Sequence, residues 1–100
     1  MTATYETRPV GIPGETDVIA RPGVARQLDS WNLTPEQVAT HPFLVGRISQ
    51  ERPDRYHITS YAQQVFQRSD WKQNNAAYRR SYEDALAWLV AECNNVLERL

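Results

Sequence analysis

Cations and aromatic rings alternate through the middle of this chain. Arg47, Arg52, Arg55, Arg68, Lys72, Arg79 and Arg80 run among Tyr56, Tyr61, Phe66, Trp71, Tyr78 and Tyr82. Guanidinium and ammonium groups neutralise anions, and a ring beside them offers a stacking surface. The same mixture serves two chemistries: binding of single-stranded nucleic acid and the hot spots of protein interfaces. Residues 41–82 carry a balance of +4, against −2 in residues 1–40 and −3 in residues 83–100, for a formal net charge of −1. A whole-chain pI of about 6.1 is low for a dedicated nucleic-acid binder. Protein contact is therefore the favoured use, with Arg52, Arg55, Trp71, Lys72 and Arg79 as the expected partner-binding residues. Trp71 stands between Asp70 and Lys72, surroundings too polar for complete burial. The plainer alternative is that the rings are core and the arginines ordinary solvated surface. Tyr78 and Tyr82, on the expected core stripe of the last helix, fit that alternative. The acidic group Glu83, Asp84 and Glu92 offers a basic partner the converse contact.

Catalytic and metal chemistry find little to use. A structural zinc site needs about four Cys, His or acidic ligands, usually in closely spaced pairs, and His41, His57 and Cys93 form no such pair. Nucleophilic catalysis needs a Ser, Cys or Thr beside a base oriented by a third group, and no local pattern supplies one. The glycines at 11, 14, 23 and 46 make no phosphate-cradling loop. The expectation is a non-enzymatic protein without metal or cofactor. Cys93, the only cysteine, precludes an internal disulfide and reads as a small buried hydrophobe. Together with an N-terminus lacking a charged-then-apolar leader pattern, it fits a reducing cytoplasm. No apolar run approaches the ~20 residues of a membrane-spanning helix.

The elements that must position these residues centre on Tyr78–Leu100. Its apolar residues Tyr78, Tyr82, Ala85, Leu86, Leu89, Cys93, Val96, Leu97 and Leu100 recur in steps of three and four, which predicts one long amphipathic helix. Thr34-Pro35-Glu36-Gln37 is a capping box with Pro at the first helical position, and Leu33 and Val38 are placed as a hydrophobic staple. That helix is short, because Pro42 disfavours helical geometry at His41. A further short helix is expected from Val24 to about Trp31, with Val24, Leu28 and Trp31 on one face. Residues 43–59 read either as a helix after Pro42 or as a hairpin turning at Pro53-Asp54, with the hairpin slightly favoured. Ser60 to Gln63 repeats the capping-box spacing ahead of a helix to about Arg68, and Ser69 is a candidate cap before Asp70-Trp71. Residues 1–23, punctuated by Pro9, Gly11, Pro13, Gly14, Pro22 and Gly23, read as an extended arm draped on a compact core of residues 24–100. The fold expected is a single, mainly α domain with a long C-terminal amphipathic helix, a short β-hairpin making α+β the variant.

The length, the opening Met1-Thr2-Ala3-Thr4-Tyr5-Glu6-Thr7-Arg8 and the segment Arg79-Arg80-Ser81-Tyr82-Glu83-Asp84-Ala85-Leu86-Ala87-Trp88 resemble the small phage-encoded anti-CRISPR inhibitors of the type I-F system. That group shares no general motif, so no functional residue is carried over. Many of its members are markedly acidic, whereas this chain is near neutral, which argues against mimicry of DNA by a whole surface. The resemblance implies a non-enzymatic inhibitor that binds an RNA-guided surveillance ribonucleoprotein complex in the host cytoplasm and blocks target-DNA recognition or hybridisation. The alternative from the residues themselves is a small nucleic-acid-binding accessory protein using the basic, aromatic surface. A homodimer formed through the stripe of the last helix is the third expectation.

Overall fold

A computed structural model describes residues 3–28, 31–67 and 74–99. It overturns the mainly helical expectation. The chain is an α+β domain built on a five-stranded antiparallel sheet in the order β1-β2-β3-β4-β5. The strands are β1 (Thr4–Pro9), β2 (Glu15–Arg21), β3 (Phe43–Arg52), β4 (Arg55–Ser60) and β5 (Asn75–Arg79). Helix α1 (Pro35–Thr40) lies between β2 and β3, and helix α2 (Tyr82–Glu98) follows β5 and packs on one face of the sheet, chiefly over β4 and β3.

The supposed arm is the first hairpin. The glycines and prolines of residues 9–14 punctuate its turn rather than an irregular tail. Gly14 has φ +81°, a conformation that costs a residue with a Cβ. Its carbonyl accepts from Gln50 N at 2.8 Å, which ties this turn to β3. Tyr5 pairs with Ala20 and reaches under α2, where its hydroxyl donates to Asn94 Oδ1 at 2.5 Å. Val18 and Ala20 are fully buried and Ile19 nearly so, while Ile12 stays 58% exposed.

Other expectations fare unevenly. The Thr34 capping box is present in full, with Gln37 N donating to the hydroxyl and Thr34 N donating to the Gln37 side chain. The β3–β4 hairpin turns at Pro53–Asp54. Residues Val24–Leu28 form no helix. Arg26 is used there as a cap: its guanidinium donates to the Leu97 carbonyl at 2.9 Å, placing a cation at the C-terminal end of the α2 dipole. After Ser60 comes a π-helical turn, Gln63–Gln67, in which the Ser60 hydroxyl accepts from Ala62 N, not from Gln63. The proposed cap at Ser69 lies outside the described residues. Helix α2 starts four residues later than its apolar periodicity implied, because Ser81 caps it by accepting from Asp84 N. Tyr78 is a strand residue, 48% exposed, and not part of the core stripe.

From Ala85 onward the stripe is as periodicity predicts: Ala85, Leu89, Cys93, Val96 and Leu97 are buried against Val18, Ala20, Phe43, Val45, Ile48 and Ile58. The stripe on which the homodimer expectation rested is thus covered by the chain's own sheet. A β-bulge makes room for it. The pairing steps from Val18↔Gly46 to Ile19↔Leu44, leaving Val45 as an extra residue on β3. Val45 and Gly46 both turn inward, while Leu44 and Arg47 turn out. A Cβ on Gly46 would stand 2.6 Å from the Thr59 carbonyl oxygen and 2.7 Å from both Leu89 δ-carbons. Glycine is required here by contact rather than by backbone angle.

Gly46→Ala is therefore expected to cost about 1–3 kcal/mol through overpacking. That lowers the melting temperature by roughly 4–8 °C per kcal/mol in a domain of this size. Denaturant and thermal unfolding measure it, and an unchanged midpoint would show that α2 can ride up freely.

Candidate functional site

The face of the sheet opposite α2 carries charge laid out in ion pairs, one within β1 and three across strands. Arg8 and Arg21 both meet Glu6, Arg47 meets Asp17 at 2.8 Å, and Arg55 meets Glu51 at 3.0 Å. The Arg8 guanidinium holds the Glu6 carboxyl below its usual range, and Asp17 raises the pKa of Arg47. The Arg8–Glu6 and Arg55–Glu51 pairs are exposed and contribute little to stability, while Arg21–Glu6 and Arg47–Asp17 are part-buried. Their effect is local neutrality over most of that face.

Neutrality fails at one place. Arg52, Asp54, Arg55, Tyr78, Arg79 and Arg80 line a cleft of about 310 Å³ where the β3–β4 hairpin tip meets the end of β5. Arg52 and Arg55 are register partners, so two like charges face each other across the hairpin, an arrangement that is destabilising by itself. Arg79 pairs with Tyr56 on β4 and donates to the Tyr78 carbonyl at 2.7 Å. Among the described residues, Arg52, Arg79 and Arg80 have no carboxylate within salt-bridge distance. The Tyr78 ring is the flat element of the site. The Arg55 guanidinium lies over it at 4.1 Å, and the His57 ring sits against it at 5.0 Å, inclined by 32°. Tyr78 first and Glu51 second raise the pKa of Arg55, which fixes its charge in this position. Arg79 also approaches the Trp88 ring at 6.0 Å, and Trp88 is half-buried against the core.

Of the five residues expected to contact a partner, Arg52, Arg55 and Arg79 come together in this cleft. Trp71 and Lys72 lie outside the described residues. Sequence reasoning gave Tyr78 to the core and did not single out Arg80 or Asp54. The signal that could have found them is the strand alternation of Asn75–Arg79, whose register with β4 brings positions 78–80 to the Pro53–Asp54 turn.

A second depression, about 470 Å³, is lined by Trp31, Phe43, Leu44, Tyr61, Gln64 and Val65 at the other end of β3. Trp31 packs edge-on to Phe43 at 5.1 Å and donates to the Val65 carbonyl at 3.1 Å, so its ring is held in place though 37% exposed.

Among the described residues no group of three His, Cys, Asp or Glu is placed to hold a metal ion, and no helix is long and apolar enough to cross a membrane. Cys93 is fully buried beside Tyr5. Burial pushes its thiol from 9.0 up to about 11, the reverse of what a nucleophile needs. Comparison with protein-family models, with curated proteins and with solved structures finds no match.

The raised thiol has a pH signature. Because the folded value lies above the unfolded one, the unfolded chain loses its proton first. Stability is complete below about pH 9 and falls as pH rises towards 11, by about 1–3 kcal/mol. Chemical denaturation at pH 8 and pH 11 should show that loss, and in Cys93→Ala the loss should shrink. A loss of equal size in the variant would assign it to other groups.

Proposed function

We propose that the protein is a non-enzymatic inhibitor that works by occlusion, docking through the arginine cleft onto a larger assembly and covering the surface that assembly needs. One observation carries this reading: the sheet face opposite α2 pairs its arginines with carboxylates, whereas Arg52, Arg79 and Arg80, gathered in one cleft beside an exposed Tyr78, have no ion-pair partner among the described residues. Arginine and tyrosine are among the residues that dominate interface energetics when gathered in this way. The candidate assembly is a type I CRISPR surveillance ribonucleoprotein of the host cytoplasm, and the target-DNA step is the one blocked. It is supported by the likeness of Met1–Arg8 and Arg79–Trp88 to the type I-F inhibitors.

Tagged protein should recover a defined complex from host lysate, and recovery should survive nuclease treatment. The purified complex should lose target-DNA binding in a gel-shift when the protein is added. Arg79→Glu/Arg80→Glu, on exposed positions that leave the core intact, should weaken that inhibition at least tenfold, as expected for loss of about 1.4 kcal/mol or more. Undiminished inhibition by the double variant would remove the cleft from the contact. Recovery that vanishes with nuclease would point instead to an accessory protein that binds nucleic acid directly.

A further inference from the structure

We infer that the arginine cleft is shaped for carboxylates, and that its occupant is a short acidic segment of a partner protein carrying at least two Asp or Glu side chains. This rests on the cleft being the docking surface proposed above and specifies what docks there. The positive charge is a point, not a stripe. Along the sheet, the next charged groups on the same face are Glu51, held by Arg55, then Glu15 beside Ser49 and the neutral Asp17–Arg47 pair. On the other side the first turn of α2 presents Glu83 and Asp84. A nucleic-acid strand, with a phosphate at every nucleotide, would leave the cleft over a face that offers no further free cation among the described residues, or over the acids of α2, which repel it. A segment with two or three carboxylates ends before it reaches them.

The ring chemistry agrees. A single-strand binder presents an open ring face to a base, whereas Arg55 already lies over Tyr78 at 4.1 Å and His57 leans on it. Tyr78 therefore orients a guanidinium rather than receiving a base. Guanidiniums donate in a planar fork that matches a carboxylate with two parallel hydrogen bonds. Arg52 and Arg55 face each other in register, so one carboxylate between them turns a repulsion into a bridge. Arg79 and Arg80 are adjacent at the end of β5 and supply the second position. Asp54, on the wall of the same cleft, is the chain's own acidic group at the site.

The test uses two probes on the intact chain: a ten-residue peptide of alternating Glu and Ser, and a ten-nucleotide oligothymidylate. Arginine side-chain N–H resonances report binding. The peptide should shift the signals of Arg52, Arg55, Arg79 and Arg80 and bind more tightly than the oligonucleotide at the same ionic strength. Arg79→Glu/Arg80→Glu should weaken the peptide at least tenfold, and Arg99→Gln, an exposed arginine elsewhere, should change it less than twofold. Tighter binding of oligothymidylate, or peptide-induced shifts that avoid the cleft, would overturn the inference, as would no binding of either probe. If the cleft variants abolish inhibition yet the peptide does not bind, the carboxylate inference fails and the inhibitor reading stands. If the peptide binds and no inhibition is found, the reverse holds.

Discussion

The seat of Leu89 against Gly46 is the contact on which the rest of the domain depends. One helix has to cover most of a five-stranded sheet, and it can do so only where the strands let it come close. The bulge at Val45-Gly46 supplies that closeness by turning two successive residues inward and omitting the side chain from one of them. Leu89 then reaches the sheet backbone, and Ala85, Cys93 and Val96 fall into line on either side. Arg26 at the Leu97 carbonyl and Tyr5 at Asn94 hold the far half of the helix down.

Once the helix occupies one face, the other is left to water, and an antiparallel sheet tolerates that when the exposed face is polar. The alternation places Glu6, Glu15, Asp17, Arg21, Arg47 and Arg55 there. Cross-strand pairing of opposite charges keeps that face quiet. The tip of the β3–β4 hairpin breaks the pattern, with arginine opposite arginine and two more arriving from β5. Such a concentration opposes the compact state by self-repulsion. Under the proposed function, the counter-charge beyond the chain's own Glu51 and Asp54 belongs to another molecule.

How much of this was legible in the sequence depends on how local each signal is. The Thr34 capping box and the Ala85–Leu97 periodicity are written within a few residues of themselves, and both are found. The first hairpin is hidden because Pro9, Gly11, Pro13 and Gly14 dominate any local reading, and only its pairing partners show that they mark a turn. Strand β5 is hidden for another reason. Asn75-Ala76-Ala77 are poor strand formers, and Tyr78 lies four residues before Tyr82, so it joins the helical pattern until pairing with β4 takes it away. The site shares that fate. Arg52, Arg55 and Arg79 stand out as cations, but that they meet depends on register between strands some twenty residues apart.

The order of the strands bears on how the chain reaches this state. Each strand pairs with the one made just before it, but only the β1–β2 and β3–β4 hairpins close locally, the β2–β3 and β4–β5 pairings having to close longer connections first. All five strands of the sheet precede α2 along the chain. The apolar side of the sheet, with Val45, Ile48 and Ile58, is bare until α2 docks on it. The Tyr5–Asn94 bond, joining residues 89 apart, closes only at that final step. The nascent sheet is thus the stage at which this protein is most open to chaperones and most prone to stick to its neighbours.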